Sequence, residues 1–157
     1  MPNMPTRYIE DNNKHNRSPE ERGMNYSPIS LLTSDEETIK GWFIAKSDPR
    51  DSNSPDVRAD RKLVVFFHEN AGNIGLRLSY YTHLYRDASC DIVTVAYRGY
   101  SSSSGHPSEA GLKLDAQAVM GFVHTDLAQF YTDKGGIFVI GRSLGGAVAA
   151  HAVTNYP

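Results

Sequence analysis

Three short, continuous apolar runs constrain the fold of this chain more than any other feature of its sequence. They span residues 62–68, 91–96 and 136–141 and are rich in β-branched and aromatic side chains. Such runs are typical of strands buried on both faces of a parallel sheet. Segments with helical apolar spacing separate them. The sequence therefore predicts an α/β fold, in which a mostly parallel sheet with right-handed crossovers has helices on both faces.

The segments around these runs predict helices over residues 76–88, 107–131 and 143–156. In the first segment apolar residues recur every four positions, which predicts that this stripe faces the sheet; its members are Leu76, Tyr80, Leu84 and Ala88. Ahead of the first buried strand, residues 29–33 and 38–46 are two β-prone runs around an acidic turn. They predict an antiparallel pair of strands at one side of the sheet.

Composition and charge exclude several functional classes. Sixteen basic and eighteen acidic side chains give a net charge of −2, without a polybasic stretch, so nucleic acid is not predicted as a partner. The longest apolar run, residues 63–67, is far shorter than the ~20 residues of a membrane span. Residues 1–25 are polar and do not resemble a signal peptide. The single cysteine, Cys90, cannot form an internal disulfide. We therefore expect a soluble intracellular domain.

The strongest chemical signal follows the third apolar run. Gly141-Arg142-Ser143-Leu144-Gly145 has the pattern G-x-S-x-G and lies between a predicted strand and a predicted helix, the context in which this pattern forms a nucleophile elbow. The glycines let strand and helix approach closely, so that the turn holds the Ser143 hydroxyl above the edge of the sheet. We interpret Ser143 as a nucleophile supported by Gly141, Arg142 and Gly145. The alternative is a glycine-rich turn with a capping serine.

A second loop, residues 68–73, follows the first buried strand and is placed to complete an oxyanion hole. Acyl transfer needs two N–H donors for the oxyanion, one just after the nucleophile and one from this earlier loop. We assign the backbone N–H groups of Leu144 and Asn70 to these positions. His68 ends its strand, which favours a structural role that shapes the loop. Taken by itself, the loop is also consistent with an ordinary turn rich in Asn and Gly.

Other residues carry weaker signals. No set of His, Cys, Asp or Glu has the spacing of a metal site, and neither a dinucleotide fingerprint nor a phosphate loop is complete. Hence no metal and no cofactor is predicted. We interpret Cys90 as a packing residue, and Arg142 either as a partner of a nearby acidic group or as a solvated side chain.

Four blocks of sequence, taken in order, are more specific than any one motif. They are residues 41–44, 67–75, 97–100 with 105–109, and 141–147. In this order they resemble the α/β-hydrolase superfamily. Within it, the chain is similar to the group of alpha/beta-hydrolase-domain-containing protein 13, with its plant and fungal growth-polarity relatives. The resemblance runs from about residue 26 to residue 157.

The resemblance implies an α/β-hydrolase fold with Ser143 as the nucleophile and Asn70 and Leu144 as oxyanion donors. It implies a serine hydrolase that cleaves a carboxylic ester or thioester through an acyl-enzyme. The implied substrate is a lipid-type ester or a palmitoyl thioester on a lipidated protein, in association with membranes. A hypothesis from another class stays open: a catalytically inactive, truncated α/β-hydrolase-fold fragment or scaffold that binds partners.

The sequence departs from the family pattern in three respects. Glu69 stands where many relatives have glycine, and Ser101 also replaces a usual glycine. The triad acid and histidine normally follow the nucleophile on later strands, but only His151 and no carboxylate follow Ser143 here. His151 lies eight residues further along the same helix, roughly 12 Å away at ~1.5 Å of rise per residue. The acid and the histidine of the triad are therefore not present in this chain.

These observations lead to an expected domain organisation. Residues 1–27 are an irregular polar lead-in, and residues 28–157 are the N-terminal part of one α/β-hydrolase domain. The fold is expected to be truncated after the nucleophile-elbow helix, without the strands that carry the acid and the histidine. We expect a polypeptide of residues 1–157 alone to be nearly inactive and a longer form to be active.

Overall fold

Five strands form one mixed sheet in the described part of the chain, which comprises residues 5–53, 61–131 and 136–157 of a computed structural model. The strands are β1 (Tyr26–Leu32), β2 (Thr38–Ile44), β3 (Lys62–Phe67), β4 (Cys90–Val95) and β5 (Ile137–Gly141). The α-helices are α1 (Leu78–Arg86), α2 (Glu109–Phe122) and α3 (Leu144–Asn155).

The strand order across the sheet is β1-β2-β4-β3-β5. Strands β4, β3 and β5 run parallel, with Val64 opposite Ile92 and Phe67 opposite Gly141. Strand β2 is antiparallel to both of its neighbours, β1 and β4. The predicted mostly parallel sheet, with an antiparallel pair at one side, is confirmed. Strand β1 begins at Tyr26, three residues before the predicted run.

Alternate residues of β3 contribute to two separate hydrophobic clusters. Leu63, Val65 and Phe67 pack with side chains of α2 and α3 on one face of the sheet. Val64 and Phe66 pack with side chains of α1 on the other face. Because both faces of the strand are covered, every position from 63 to 67 is buried, which is why this run is continuously apolar.

The face that α1 buries differs from the predicted stripe. Leu78, Tyr81 and Tyr85 are buried, whereas Tyr80 is 40% exposed. A turn of 3-10 helix, Ile74–Arg77, precedes α1. Since a 3-10 helix has three residues per turn rather than 3.6, apolar positions counted from within this turn do not keep facing the sheet. The predicted stripe was therefore wrong.

Helix α2 begins at a capped turn and ends earlier than predicted. The Ser108 hydroxyl accepts a hydrogen bond from the backbone N–H of Gly111 at 3.0 Å, which satisfies one of the free donors at the helix start. The α-helix ends at Phe122, and the chain continues through a π-helical turn, Val123–Leu127, and a 3-10 turn, Ala128–Phe130. The predicted helix over residues 107–131 is thus three successive helical segments.

Arg98 fixes the loop that follows β4. Its backbone N–H and its Nε donate to the two carboxylate oxygens of Asp115 on α2, each at 2.9 Å. Its Nη1 and Nη2 donate to Asp35 at 2.7 and 3.0 Å. These hydrogen bonds from Arg98 hold the pKa of Asp35 well below its ordinary value. Arg98 and Asp115 are buried, so removal of Arg98 would leave the Asp115 carboxylate unpaired, whereas removal of Asp115 would leave Arg98 with Asp35 as its partner. The loop is therefore tied to α2 and to the turn before β2.

The lead-in packs against the sheet and its loops. It contains two short 3-10 helices, Ile9–Asp11 and Pro19–Arg22. Met24 is 1% exposed within the cluster that includes α1. The backbone N–H of Ser101 donates to the carbonyl of Arg7 at 3.0 Å. These contacts place the lead-in beside α1 and the loop that follows β4.

Candidate active site

The turn between β5 and α3 holds Ser143 in a strained backbone conformation. Its φ is +53° and its ψ is −120°, a combination that residues with a side chain rarely adopt. Strain of this kind persists only where the surrounding structure fixes it, and it is common at functional sites. The strand–turn–helix order together with this conformation is that of a nucleophile elbow.

Two glycines allow this turn to form. A Cβ atom on Gly141 would lie 1.9 Å from the carbonyl oxygen of Gly145, and a Cβ atom on Gly145 would lie 2.0 Å from the carbonyl oxygen of Phe67. Both contacts are with backbone, which cannot move aside as a flexible side chain can. At Gly146 the nearest atom to such a Cβ would be 3.7 Å away. The requirement for glycine is therefore specific to positions 141 and 145.

Ser143 is exposed, and its hydroxyl makes no capping hydrogen bond to the described chain. The backbone N–H groups of Gly145 and Gly146 donate to the carbonyls of Arg142 and Ser143 at 2.9 and 2.8 Å. The N–H of Leu144 has no acceptor among the described residues. It lies at the N-terminus of α3, whose partial positive charge favours a developing anion.

The second candidate donor lies on residues 68–73, named here the oxyanion loop. The backbone N–H of Asn70 has no acceptor among the described residues. The Tyr100 hydroxyl lies 2.8 Å from both the carbonyl oxygen and Oδ1 of Asn70. One hydroxyl hydrogen cannot serve both acceptors fully. The exchanged amide orientation would let the Asn70 amide donate to Tyr100 while Tyr100 donates to the carbonyl. Either way, Tyr100 holds Asn70 by two atoms.

Backbone contacts bring the two loops to the same edge of the sheet. The N–H of Arg142 donates to the carbonyl of Phe67 at 3.2 Å, and Gly145 packs against the backbone of Phe67 and His68. Leu144 and Asn70 therefore leave adjacent parallel strands, β5 and β3, at their carboxyl ends. This is the placement that a two-donor oxyanion hole requires.

His68 is a buried, neutral residue of the oxyanion loop. Its Nε2 accepts a hydrogen bond from the Tyr97 N–H at 3.2 Å, so its Nδ1 carries the proton and donates to the Glu69 carbonyl at 2.7 Å. Its ring stacks on Tyr97 with centroids 3.9 Å apart. Burial lowers the pKa of His68 to about 4, and the positive charge of Arg77 acts in the same direction. Both ring nitrogens are engaged, so this histidine is not arranged to act as a general base.

This buried imidazole predicts a loss of stability in mild acid. The pKa of His68 is about 4 in the folded chain against an ordinary 6.5. Between these pH values the unfolded chain binds more protons, so the free energy of unfolding falls as the pH is lowered from about 6.5 to about 4. The shift corresponds to a loss of about 3 kcal/mol. Denaturant titration at several pH values, followed by circular dichroism, measures this loss.

Two substitutions separate His68 from the other titrating groups. In His68→Gln we expect a lower free energy of unfolding at pH 7 but a flatter dependence on pH between 4 and 6.5. The exposed His106 supplies the control, since His106→Gln should keep the full pH dependence. An unchanged slope in His68→Gln would show that other groups cause the loss.

A charged cluster lies beside the two loops. The Glu69 carboxylate pairs with Arg77 at 2.6 Å and lies 4.0 Å from Nε of Arg142. The Glu69 side chain is only 12% exposed, and its Oε2 has no hydrogen-bond partner in the described part of the chain. Arg142 remains 65% exposed. The acidic neighbour of Arg142 is therefore Glu69, at the outer limit of an ion pair.

None of the hydrogen bonds among the described residues joins a histidine or a carboxylate to the Ser143 hydroxyl. His151 lies on α3, where its Nδ1 is 3.2 Å from Nδ2 of Asn155, and His106 is exposed.

Among the described residues, no group of three or more His, Cys, Asp or Glu is arranged to hold a metal ion. None of the helices in residues 5–53, 61–131 and 136–157 has both the length and the apolarity to cross a bilayer.

Two residues that hold the oxyanion loop could not be predicted from the sequence. Tyr100 ends the block 97–100, but nothing in its local pattern identifies Asn70 as its partner. Arg77 pairs with Glu69 from the turn before α1. Both contacts join residues that are distant along the chain or in different elements, so that only the folded structure reveals them.

The chain is similar in sequence to longer curated proteins. It is 33% identical over 145 residues to protein Bem46 of Schizosaccharomyces pombe, covering 92% of this chain and 45% of Bem46. It is 37% identical over 134 residues to the alpha/beta hydrolase domain-containing protein WAV2 of Arabidopsis thaliana, covering 84% and 39%. It is 34% identical over 142 residues to an uncharacterized membrane protein of Saccharomyces cerevisiae, covering 90% and 45%. The chain thus spans less than half the length of each relative.

The fold is similar to that of a solved esterase. The structure of an esterase from Pyrococcus furiosus matches with a TM-score of 0.67 and 19% identity, covering 88% of this chain and 50% of the esterase. At this identity the match shows the fold alone. No protein-family model matches the chain.

Proposed function

This chain belongs to the α/β-hydrolase superfamily, in the group of Bem46 and alpha/beta-hydrolase-domain-containing protein 13, and we propose that it carries the nucleophile and the oxyanion hole of a serine hydrolase. The single observation that carries the proposal is the strained backbone of Ser143, with φ of +53° and an exposed hydroxyl. The free N–H groups of Leu144 and Asn70 support it. The proposed reaction is the cleavage of a carboxylic ester or thioester.

In the proposed reaction, Oγ of Ser143 attacks the acyl carbonyl carbon while a general base takes its proton. The negative charge that develops on the carbonyl oxygen is stabilised by the N–H groups of Leu144 and Asn70. The C–O or C–S bond then breaks, the leaving group takes up a proton, and the acyl group remains on Ser143. Water hydrolyses this acyl-enzyme by the same steps. The histidine and carboxylate that complete the triad would be supplied outside the described residues.

An apolar groove next to the nucleophile supports an acyl chain as part of the substrate. It has a volume of about 430 Å³ and lies between α2 and α3. Apolar side chains form most of its lining, and Leu144 follows the nucleophile directly; the lining includes Leu112, Leu144, Ala147 and Val148, with Glu109, Lys113 and His151 around them. We extend the proposal to a lipid-type ester or a palmitoyl thioester, with a lipidated protein as a candidate partner. The relative from Saccharomyces cerevisiae is named as a membrane protein, which supports a membrane-associated setting.

Labelling with a fluorophosphonate probe tests the proposal. The probe phosphonylates a serine only when its hydroxyl is activated as in acyl transfer, so we expect one labelled residue, Ser143, in the full-length protein that carries these residues. Tandem mass spectrometry identifies the labelled peptide. Ser143→Ala should abolish labelling, whereas Ser102→Ala, at another exposed serine, should leave it unchanged.

Two outcomes would contradict the proposal in different ways. Labelling that survives in Ser143→Ala would place the nucleophile elsewhere. A folded full-length protein that is not labelled and does not hydrolyse p-nitrophenyl esters would favour the other hypothesis, a non-catalytic scaffold with this fold.

A further inference from the structure

Two buried asparagines join the lead-in to the oxyanion loop. Asn12 in the lead-in is 5% exposed and Asn73 at the end of the loop is 1% exposed. Their side-chain amides form a reciprocal pair, with Nδ2 of Asn12 donating to Oδ1 of Asn73 at 2.8 Å and Nδ2 of Asn73 donating to Oδ1 of Asn12 at 2.9 Å. The contact links positions that are 61 residues apart in the sequence.

Both amides use all of their hydrogen atoms. The second hydrogen of Asn12 goes to the Asn16 carbonyl at 2.6 Å, and that of Asn73 goes to the Thr6 carbonyl at 3.0 Å. Oδ1 of Asn73 also accepts from the Gly75 N–H at 2.9 Å, which caps the 3-10 turn before α1. A fully satisfied buried network of this kind rigidifies the segment that it joins, whereas a partly satisfied one is costly.

The pair fixes one end of the segment that contains Asn70. At the other end, His68 is held by Tyr97, and in the middle Tyr100 holds Asn70 itself. Between Asn70 and Asn73, residues 71 and 72 form no hydrogen bond to a buried side chain in the described part of the chain. Loss of the pair would therefore loosen the loop between Asn70 and Asn73, because the Asn73 side chain would keep only its hydrogen bonds with the Thr6 carbonyl and the Gly75 N–H.

The lead-in also packs closely where the loop meets the following turn. A Cβ atom on Gly75 would lie 2.1 Å from the carbonyl oxygen of Asn16 and 2.6 Å from Nδ2 of Asn12. The backbone of the turn thus rests directly on the lead-in. Asn12 holds this contact in place because its amide donates both to the Asn16 carbonyl in the lead-in and to Asn73 in the loop.

From these contacts we infer that Asn12 is a positioning residue for the oxyanion hole, acting through Asn73 on the backbone N–H of Asn70. The inference rests on the proposed function, in which the Asn70 N–H stabilises the oxyanion. Oxyanion donors stabilise the transition state more than the bound substrate, so the loss of Asn12 should lower kcat and leave KM nearly unchanged.

Asn12→Ala in the full-length protein tests the inference. With p-nitrophenyl butyrate as substrate, and with turnover counted per fluorophosphonate-labelled site, we expect kcat to fall about tenfold, the effect of one lost buried hydrogen-bonded pair, with KM changed less than twofold. Amide hydrogen exchange should become faster at residues 69–76 and stay the same in β3 and β4. The neighbouring Asn13 is exposed, so Asn13→Ala is the matched control and should match the parent protein in both measurements.

A second variant guards against misfolding of the first. Asn73→Ser keeps a side-chain acceptor for the Gly75 N–H, because serine is a good N-cap residue, but it cannot reach Asn12. It should give the same fall in kcat and the same local exchange as Asn12→Ala.

The outcomes separate this inference from the proposed function. If kcat per labelled site is unchanged in both variants, or if exchange at residues 69–76 is unchanged, the positioning role of Asn12 is overturned. If Ser143→Ala retains full turnover, the proposed function fails instead. The exchange measurement then decides alone whether Asn12 holds the loop.

Discussion

Alanine at position 143 is expected to lower the turnover of p-nitrophenyl butyrate by about 10⁵- to 10⁶-fold in the full-length protein. The reason is that the acyl-enzyme cannot form without Oγ of Ser143, so hydrolysis must proceed by direct attack of water. The N–H groups of Leu144 and Asn70 remain, and a small residual rate above that of the uncatalysed reaction should persist. Initial rates at saturating ester, compared with buffer alone, measure both effects.

The fold should not change in this variant. Alanine retains the Cβ atom that serine places on the strained backbone, and the Ser143 hydroxyl makes no capping hydrogen bond to the described chain. Circular dichroism and the urea midpoint should therefore match those of the parent protein. A loss of turnover of less than tenfold in a folded Ser143→Ala would exclude the covalent route through this residue.

The second large effect is expected at Gly145, where alanine should lower the free energy of unfolding by about 3 kcal/mol or more. A Cβ atom there would lie 2.0 Å from the carbonyl oxygen of Phe67, so β3 and α3 must move apart. The movement would also stretch the hydrogen bond from the Arg142 N–H to the same carbonyl. Urea titration followed by circular dichroism measures the destabilisation, and the elbow should lose fluorophosphonate labelling even where the chain still folds.

Gly146 provides a closely matched control. It is the next residue of α3, and a Cβ atom there would meet its nearest neighbour at 3.7 Å, an ordinary contact. Alanine is a better helix former than glycine by about 1 kcal/mol, so Gly146→Ala should be neutral or stabilising. Equal destabilisation by both substitutions would show that the close approach of Gly145 to the Phe67 carbonyl is not the cause of the loss, since helix propensity alone favours alanine at both positions.

Sequence predicted the parts of the molecule whose signals are local. The continuous apolar run of β3 marks a strand because both of its faces are buried. The G-x-S-x-G pattern predicts the geometry of its turn because glycine is required at 141 and 145 by close backbone contacts within the turn and with the neighbouring strand. The prediction of the buried face of α1 was wrong because a single 3-10 turn, Ile74–Arg77, shifts which positions of the helix face the sheet. No apolar pattern signals such a turn.

The contacts that hold the oxyanion loop were beyond sequence reasoning for a different reason. Asn12 and Asn73 are polar residues of loop-rich segments, where exposure is the ordinary expectation. Their burial follows from pairing across 61 positions, which leaves no periodicity to detect. The same holds for Tyr100, whose hydroxyl meets Asn70 across 30 positions.

The left-handed backbone at Ser143 places stability and reactivity in competition at one residue. Glycine adopts a φ of +53° without a steric penalty and would relax the turn, but it would remove the hydroxyl that we propose as the nucleophile. A lineage selected only to keep the fold gains from that exchange, whereas a lineage selected for hydrolysis must accept the strain. We therefore expect the residue at this position to differ, among chains built on the same sheet, between those that perform chemistry and those that serve as scaffolds.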